Sequence, residues 1–100
     1  MAKIQEKTLS FAPSTSPDVV GYKLYYEEVP NEVTYDSPYI NVSGTSVELH
    51  EVPEFAEFDS TYNMGVSSVD DAGNESNMSK MSDVPLDLFP PSPPGSLILT

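Results

Sequence analysis

The stretch TYNMGVSSVDDAGNES, residues 61–76, places this chain in the all-β class. Tyr62, Met64 and Val66 alternate with Asn63, Gly65 and Ser67, the two-residue period of a strand with one buried face. The alternation runs into Asp70-Asp71-Ala72-Gly73-Asn74, residues that close turns through side-chain hydrogen bonds or accept positive φ. Residues 79–84 then read as a returning strand. The segment therefore predicts a β-hairpin.

Outward from the hairpin the same pattern recurs at the spacing of a β-sandwich. Residues 8–12 put Leu9 and Phe11 on one face. Residues 20–29 set Tyr22, Leu24 and Tyr26 against Lys23, Tyr25 and Glu27. Residues 39–42 make a short strand that turns at Ser43-Gly44, and residues 46–52 send Val47 and Leu49 inward, Glu48 and His50 outward. No window keeps a 3.6-residue period over ten positions, and the ten prolines are expected between strands rather than within them. Residues 1–84 read as one domain. Residues 85–100 are set apart as a proline-rich, semi-rigid connector followed by the strand-like Ser96-Leu97-Ile98-Leu99-Thr100.

Composition excludes several functions. Sixteen acids against four lysines and no arginine give a net charge of −12, a body that repels phosphate backbones and anionic membrane surfaces. No apolar run approaches the roughly 18 residues of a membrane helix, and no signal peptide is expected from the polar Met1-Ala2-Lys3-Ile4-Gln5-Glu6-Lys7. Without cysteine there is neither a disulfide nor a thiolate metal site. The cellular compartment stays open.

Chemistry-bearing residues are sparse. His50 is the only histidine, and no hydrolytic triad can be assembled around it. Asp70, Asp71, Asn74 and Glu75 offer oxygen ligands that would suit a weak calcium site, but their spacing does not match a twelve-residue calcium loop and is also ordinary turn chemistry. Paired carboxylates for glycoside hydrolysis need a cleft that a sandwich of this size hardly offers. No cofactor and no enzymatic activity are expected. Tyr25, read as outward, and Tyr35, Tyr39, Phe55 and Phe58, in or near loops, are candidates for a patch recognising carbohydrate or protein; packing at one end of the sandwich is the other reading of Phe55 and Phe58.

Taken together, these residues resemble a fibronectin type III domain of the kind found in bacterial and phage proteins. Leu9-Ser10-Phe11-Ala12-Pro13 resembles the family's second strand, with Phe11 at the usual tryptophan position. GYKLYY (residues 21–26) resembles its third strand. Tyr62 falls at the tyrosine corner, and SVDDAGNES (residues 68–76) at the last hairpin. The resemblance implies a seven-stranded, antiparallel, immunoglobulin-like Greek-key sandwich and a surface or virion setting if the domain belongs to a larger assembly. Two departures stand out. The loop at residues 53–60 is longer than the family's turn, and the family's first strand is missing ahead of Thr8.

A segment of the missing type occurs instead at residues 90–99. Three explanations stay open: the start of a following domain, a first strand supplied by the chain's own C-terminal end, or a strand given to a neighbouring molecule through Leu97, Ile98 and Leu99. The expected function is a non-catalytic structural, spacer or protein-interaction module. A binding domain using the loop aromatics is the alternative.

Overall fold

The computed structural model describes residues 2–100. Six strands are present among them: β1 (Thr8–Ser10), β2 (Val19–Glu28), β3 (Tyr39–Val42), β4 (Ser46–Glu48), β5 (Asp59–Asp70) and β6 (Ser79–Asp87). They form two antiparallel sheets, a small one of β1 and β4 and a larger one in the order β3-β2-β5-β6. The expected seventh strand is absent from the described residues. Residues 2–7 ahead of β1 hold no strand, and Ile4 is their only large aliphatic side chain.

The inner faces of the two sheets meet over one core. Leu24, Val42, Met64, Tyr62, Val84 and Leu86 from the larger sheet pack with Val47 of β4, and Leu49 and Phe55 join from the connection that follows. Alternation drives this arrangement, since every second residue of β2 and β5 must leave water together. The central pairing runs from Val19 opposite Asp70 to Glu28 opposite Tyr62, with one register shift near Gly21.

The hairpin forms where the sequence places it. Asp70 Oδ1 accepts the N–H groups of Ala72 and Asn74, and Gly73 takes φ 85°, a left-handed conformation that glycine adopts without steric cost.

Three expectations are corrected. The strand read over residues 46–52 ends at Glu48, and residues 49–51 and 53–55 form two short 3-10 turns instead. Leu49 stays inward because the turn carries it into the core. Pro85 lies inside β6, where an edge strand tolerates the missing N–H. Finally, the body extends past Val84: Leu86 and Leu88 are each only 1% exposed, and the Leu88 N–H donates to the Phe58 carbonyl at 2.7 Å.

Phe89, Pro90 and Pro91 still lie beside Lys3, Ile4 and Gln5, and beyond them the chain leaves the body. Residues 90–100 hold no strand, and Leu97, Ile98 and Leu99 are 98%, 84% and 100% exposed. The radius of gyration, 17.0 Å, exceeds the roughly 13 Å of a compact chain of this length because of this projecting tail. Among the described residues the tail pairs with neither sheet.

Candidate functional site

The outer face of the larger sheet is not left to water. Gly65 lies beside Tyr25 in the β2–β5 register, and its missing side chain makes room for Val33 and Met78. A Cβ there would stand 3.1 Å from Val33 Cγ2 and 2.9 Å from Met78 Sδ. Val33, from the loop between β2 and β3, is buried, and Tyr25 beneath is only 1% exposed. The loop is tied down by Ser37, whose hydroxyl donates to Glu27 Oε2 at 2.8 Å and accepts the Thr34 N–H at 2.9 Å.

A carboxylate organises this second layer. Glu75 Oε2 accepts the Tyr25 hydroxyl at 2.6 Å and the fully buried Ser67 hydroxyl at 2.9 Å, while Oε1 pairs with Lys23 Nζ at 2.9 Å. Burial alone would push the Glu75 carboxyl up, but the bonds from Tyr25, Lys23 and Ser67 together hold it below its usual value. Lys23 is raised, first by its hydrogen bond to Glu75. The Tyr25 phenol is raised strongly, chiefly by burial and then by Glu75. Lys23 Nζ also lies 4.5 Å from the centre of the Tyr39 ring, within cation–π range.

This geometry divides the five nominated aromatics. Tyr35 and Tyr39 remain open, at 53% and 46% exposed, leaning on Tyr25 with ring centres 6.1 and 5.3 Å away. Tyr25 faces outward as read, but the loop and Met78 cover it, so its ring is closed to a ligand. Phe55 is fully buried and Phe58 half-buried. They continue a stack from Tyr26 (4.9 Å to Phe55) through Phe58 to Tyr62 (4.2 Å), which seals one end of the sandwich. Their exposure is corrected: aromatic rings in an acidic loop gain more from stacking on the core than from water.

The nominated calcium ligands do not converge. Asp70 spends its oxygens on Ala72 and Asn74, which holds its carboxyl below the usual range. Asp71 points to solvent, and Glu75 turns away to Lys23. Among the described residues one group of three metal-ligating side chains does come together: Glu48, His50 and Glu51, with donor atoms within 4.8 Å. His50 Nδ1 is already engaged with the Lys7 backbone at 3.2 Å. Glu48 is raised, first by its hydrogen bond with Glu51. The sequence hinted at this cluster only through the adjacency of 48, 50 and 51, since the 3-10 turn that gathers them was read as strand.

The sandwich is open on two sides. Between β3 and β4 lies a broad trough of about 830 Å³, acidic through Glu48, Glu51 and Glu54. Between β1 and β6 lies a smaller groove of about 110 Å³, lined by Leu9, Phe11, Met64, Val66 and Met81 with Lys80 at its edge. Neither β1 nor β6 has a partner on the side facing that groove.

No protein-family model, curated protein or solved structure matches this chain. The functional reading therefore rests on the geometry itself.

Proposed function

We propose that this chain is a non-catalytic, fibronectin type III-like module that works by binding protein, either another copy of itself or a neighbouring domain of a larger bacterial or phage assembly. In this reading the seventh strand of the Greek-key sandwich comes from outside the folded body. One observation carries it: the unpaired edge of β1 opens onto an apolar groove, while the tail holds three consecutive large aliphatics in water. Exposed strand edges and exposed apolar segments both favour association.

Thermal unfolding of the full chain beside a version ending after Phe89, each at two protein concentrations, tests this. Equal midpoints when dilute, with only the full chain's midpoint rising at high concentration, are expected for association through the tail. Midpoints that ignore both the tail and the concentration would remove the tail from the function.

A second reading, recognition of carbohydrate or protein through aromatics, is supported by Tyr35 and Tyr39 alone. Both are exposed and seated on the rigid Tyr25–Glu75–Lys23 cluster. A glycan-array or pull-down signal lost in Tyr35→Ala and Tyr39→Ala, with melting preserved, would favour it.

A further inference from the structure

We propose that the groove between β1 and β6 is the acceptor for residues 96–100 of a second copy, which enter as an added strand antiparallel to β1. The inference rests on the interaction-module reading and names its partner.

The acceptor edge is available for pairing. Phe11 N–H donates to the Thr45 carbonyl and Leu49 N–H to the Lys7 carbonyl, so residues 7, 9 and 11 spend their backbone groups on β4. By the alternation of an antiparallel ladder, Thr8 and Ser10 turn theirs to the opposite, open edge. Farther along β6, the edge is blunted by Pro85 and by Asp83 with its left-handed φ of 57°, two devices that discourage pairing. The start of β6, beside the groove, has neither. A pocket of about 110 Å³ is of the order that holds one compact apolar group, so one aliphatic side chain of an added strand fits in it.

The occupant is argued from the same chain. Residues 88–100 contain no charged side chain, so this segment approaches a body of net charge −12 with less repulsion than its acidic strands would. Within it Leu97, Ile98 and Leu99 stand almost fully in water. Set opposite Leu9, Ile98 would point into the groove, with Leu97 beside Ser10 and Leu99 beside Thr8 on the outer face.

The donor is a second copy because the geometry disfavours self-insertion. The tail leaves at the far end of β6 from the groove, and Leu88 lies about 26 Å along the strand from Lys80 at about 3.3 Å per residue. The eight residues 89–96 span about 25 Å as a polyproline helix. The tail would thus have to reverse at its first residue and stay fully extended, and Pro90-Pro91 allows no tight reversal there. Reaching into a neighbour needs no reversal. One donor and one acceptor per copy make the contact heterologous, so copies join head to tail.

The absence of cysteine permits a clean test by mixed cross-linking. One sample carries Ser10→Cys or Thr8→Cys, the other Leu97→Cys or Leu99→Cys; all four positions are exposed, so folding is not at stake. Equal amounts are mixed, oxidised and resolved by mass. The proposal expects Leu97→Cys to bond preferentially to Ser10→Cys and Leu99→Cys to Thr8→Cys, with at least a fivefold loss of product when Ile98 is also changed to Ser, and a loss of association when Leu97, Ile98 and Leu99 are all changed to Ser. Equal yields from every pairing would overturn the added strand. A Ser10→Cys/Leu97→Cys double variant that closes within single molecules on dilution would overturn the second copy as donor. If association in light scattering survives the triple Ser change, the groove proposal fails while the interaction-module reading stands. If the chain stays monomeric throughout and binds no neighbouring domain, both fail.

Discussion

Replacing Glu75 by Ala tests whether the outer layer of the sheet is held by one carboxylate. The change removes the acceptor of two hydroxyls that are themselves nearly inaccessible, those of Tyr25 and Ser67, and leaves Lys23 without its partner. An orphaned buried hydroxyl costs about 1–3 kcal/mol, whereas the ion pair, with its side chains 24% and 19% exposed and so still reached by water, contributes about 1 kcal/mol. The hydroxyls therefore dominate, and a loss of about 3 kcal/mol is expected. For a domain of this size that lowers Tm by roughly 12–24 °C. Tyr25→Phe isolates one part of the effect. It costs less than Glu75→Ala, because the carboxylate keeps Ser67 and Lys23, and in the Glu75→Ala background it costs almost nothing because no bond remains to lose. The double-mutant cycle should give a coupling of about 1–1.5 kcal/mol, measured by chemical denaturation at neutral pH. Additivity within about 0.3 kcal/mol would refute the reasoning and mean that water replaces the carboxylate without penalty.

Other outcomes follow from the same structure. The folded-state values of Asp70 and Glu75 are depressed, so their contribution is present above the usual carboxylate range near 4 and is lost as pH falls through the folded values. Tyr25 and Lys23 are raised, so theirs is present below about pH 10 and is lost as pH rises above it; Tm against pH should fall at both ends, and a flat alkaline limb would contradict the buried Tyr25–Glu75 bond. Gly65→Val should cost about 1–3 kcal/mol by lifting Val33 and Met78, whereas Gly44→Val, with nothing within 4 Å, should stay within about 0.5 kcal/mol in the same denaturation assay. Raising ionic strength from about 0.01 to 0.15 M should increase Tm modestly by screening the acidic body. Magnesium and calcium should act alike, and a saturable gain with calcium alone would contradict screening as the cause.

Local features were legible from the residue pattern, and long-range ones were not. The alternation of Tyr62, Met64 and Val66 and the turn at Asp70–Asn74 depend on neighbouring residues, so the hairpin formed as expected. The burial of Tyr25 depends on Val33 and Met78, which come from other parts of the chain and have room only because position 65 is Gly. Glu75 read as a turn residue because nothing local reveals that its carboxylate reaches Lys23, 52 positions away. Phe55 and Phe58 looked like loop aromatics until the 3-10 turn over Pro53–Phe55 folded them against Tyr26 and Tyr62. The tail was legible as an oddity of composition. Its status as an unpaired, projecting segment required the structure.

Sedimentation velocity across concentration, for the full chain and for a version ending after Phe89, examines self-association through the tail. Burying Leu97, Ile98 and Leu99 provides about 9 kcal/mol, and association forfeits about 4 kcal/mol of freedom, which leaves a dissociation constant of about 0.2 mM. The series should therefore span about 10 μM to 2 mM. The full chain should rise steadily above the monomer mass of 10.9 kDa and continue past the dimer, while the shortened chain stays at its monomer mass. A full chain that remains monomeric at 2 mM, or a shortened chain that associates equally well, would contradict association through the tail.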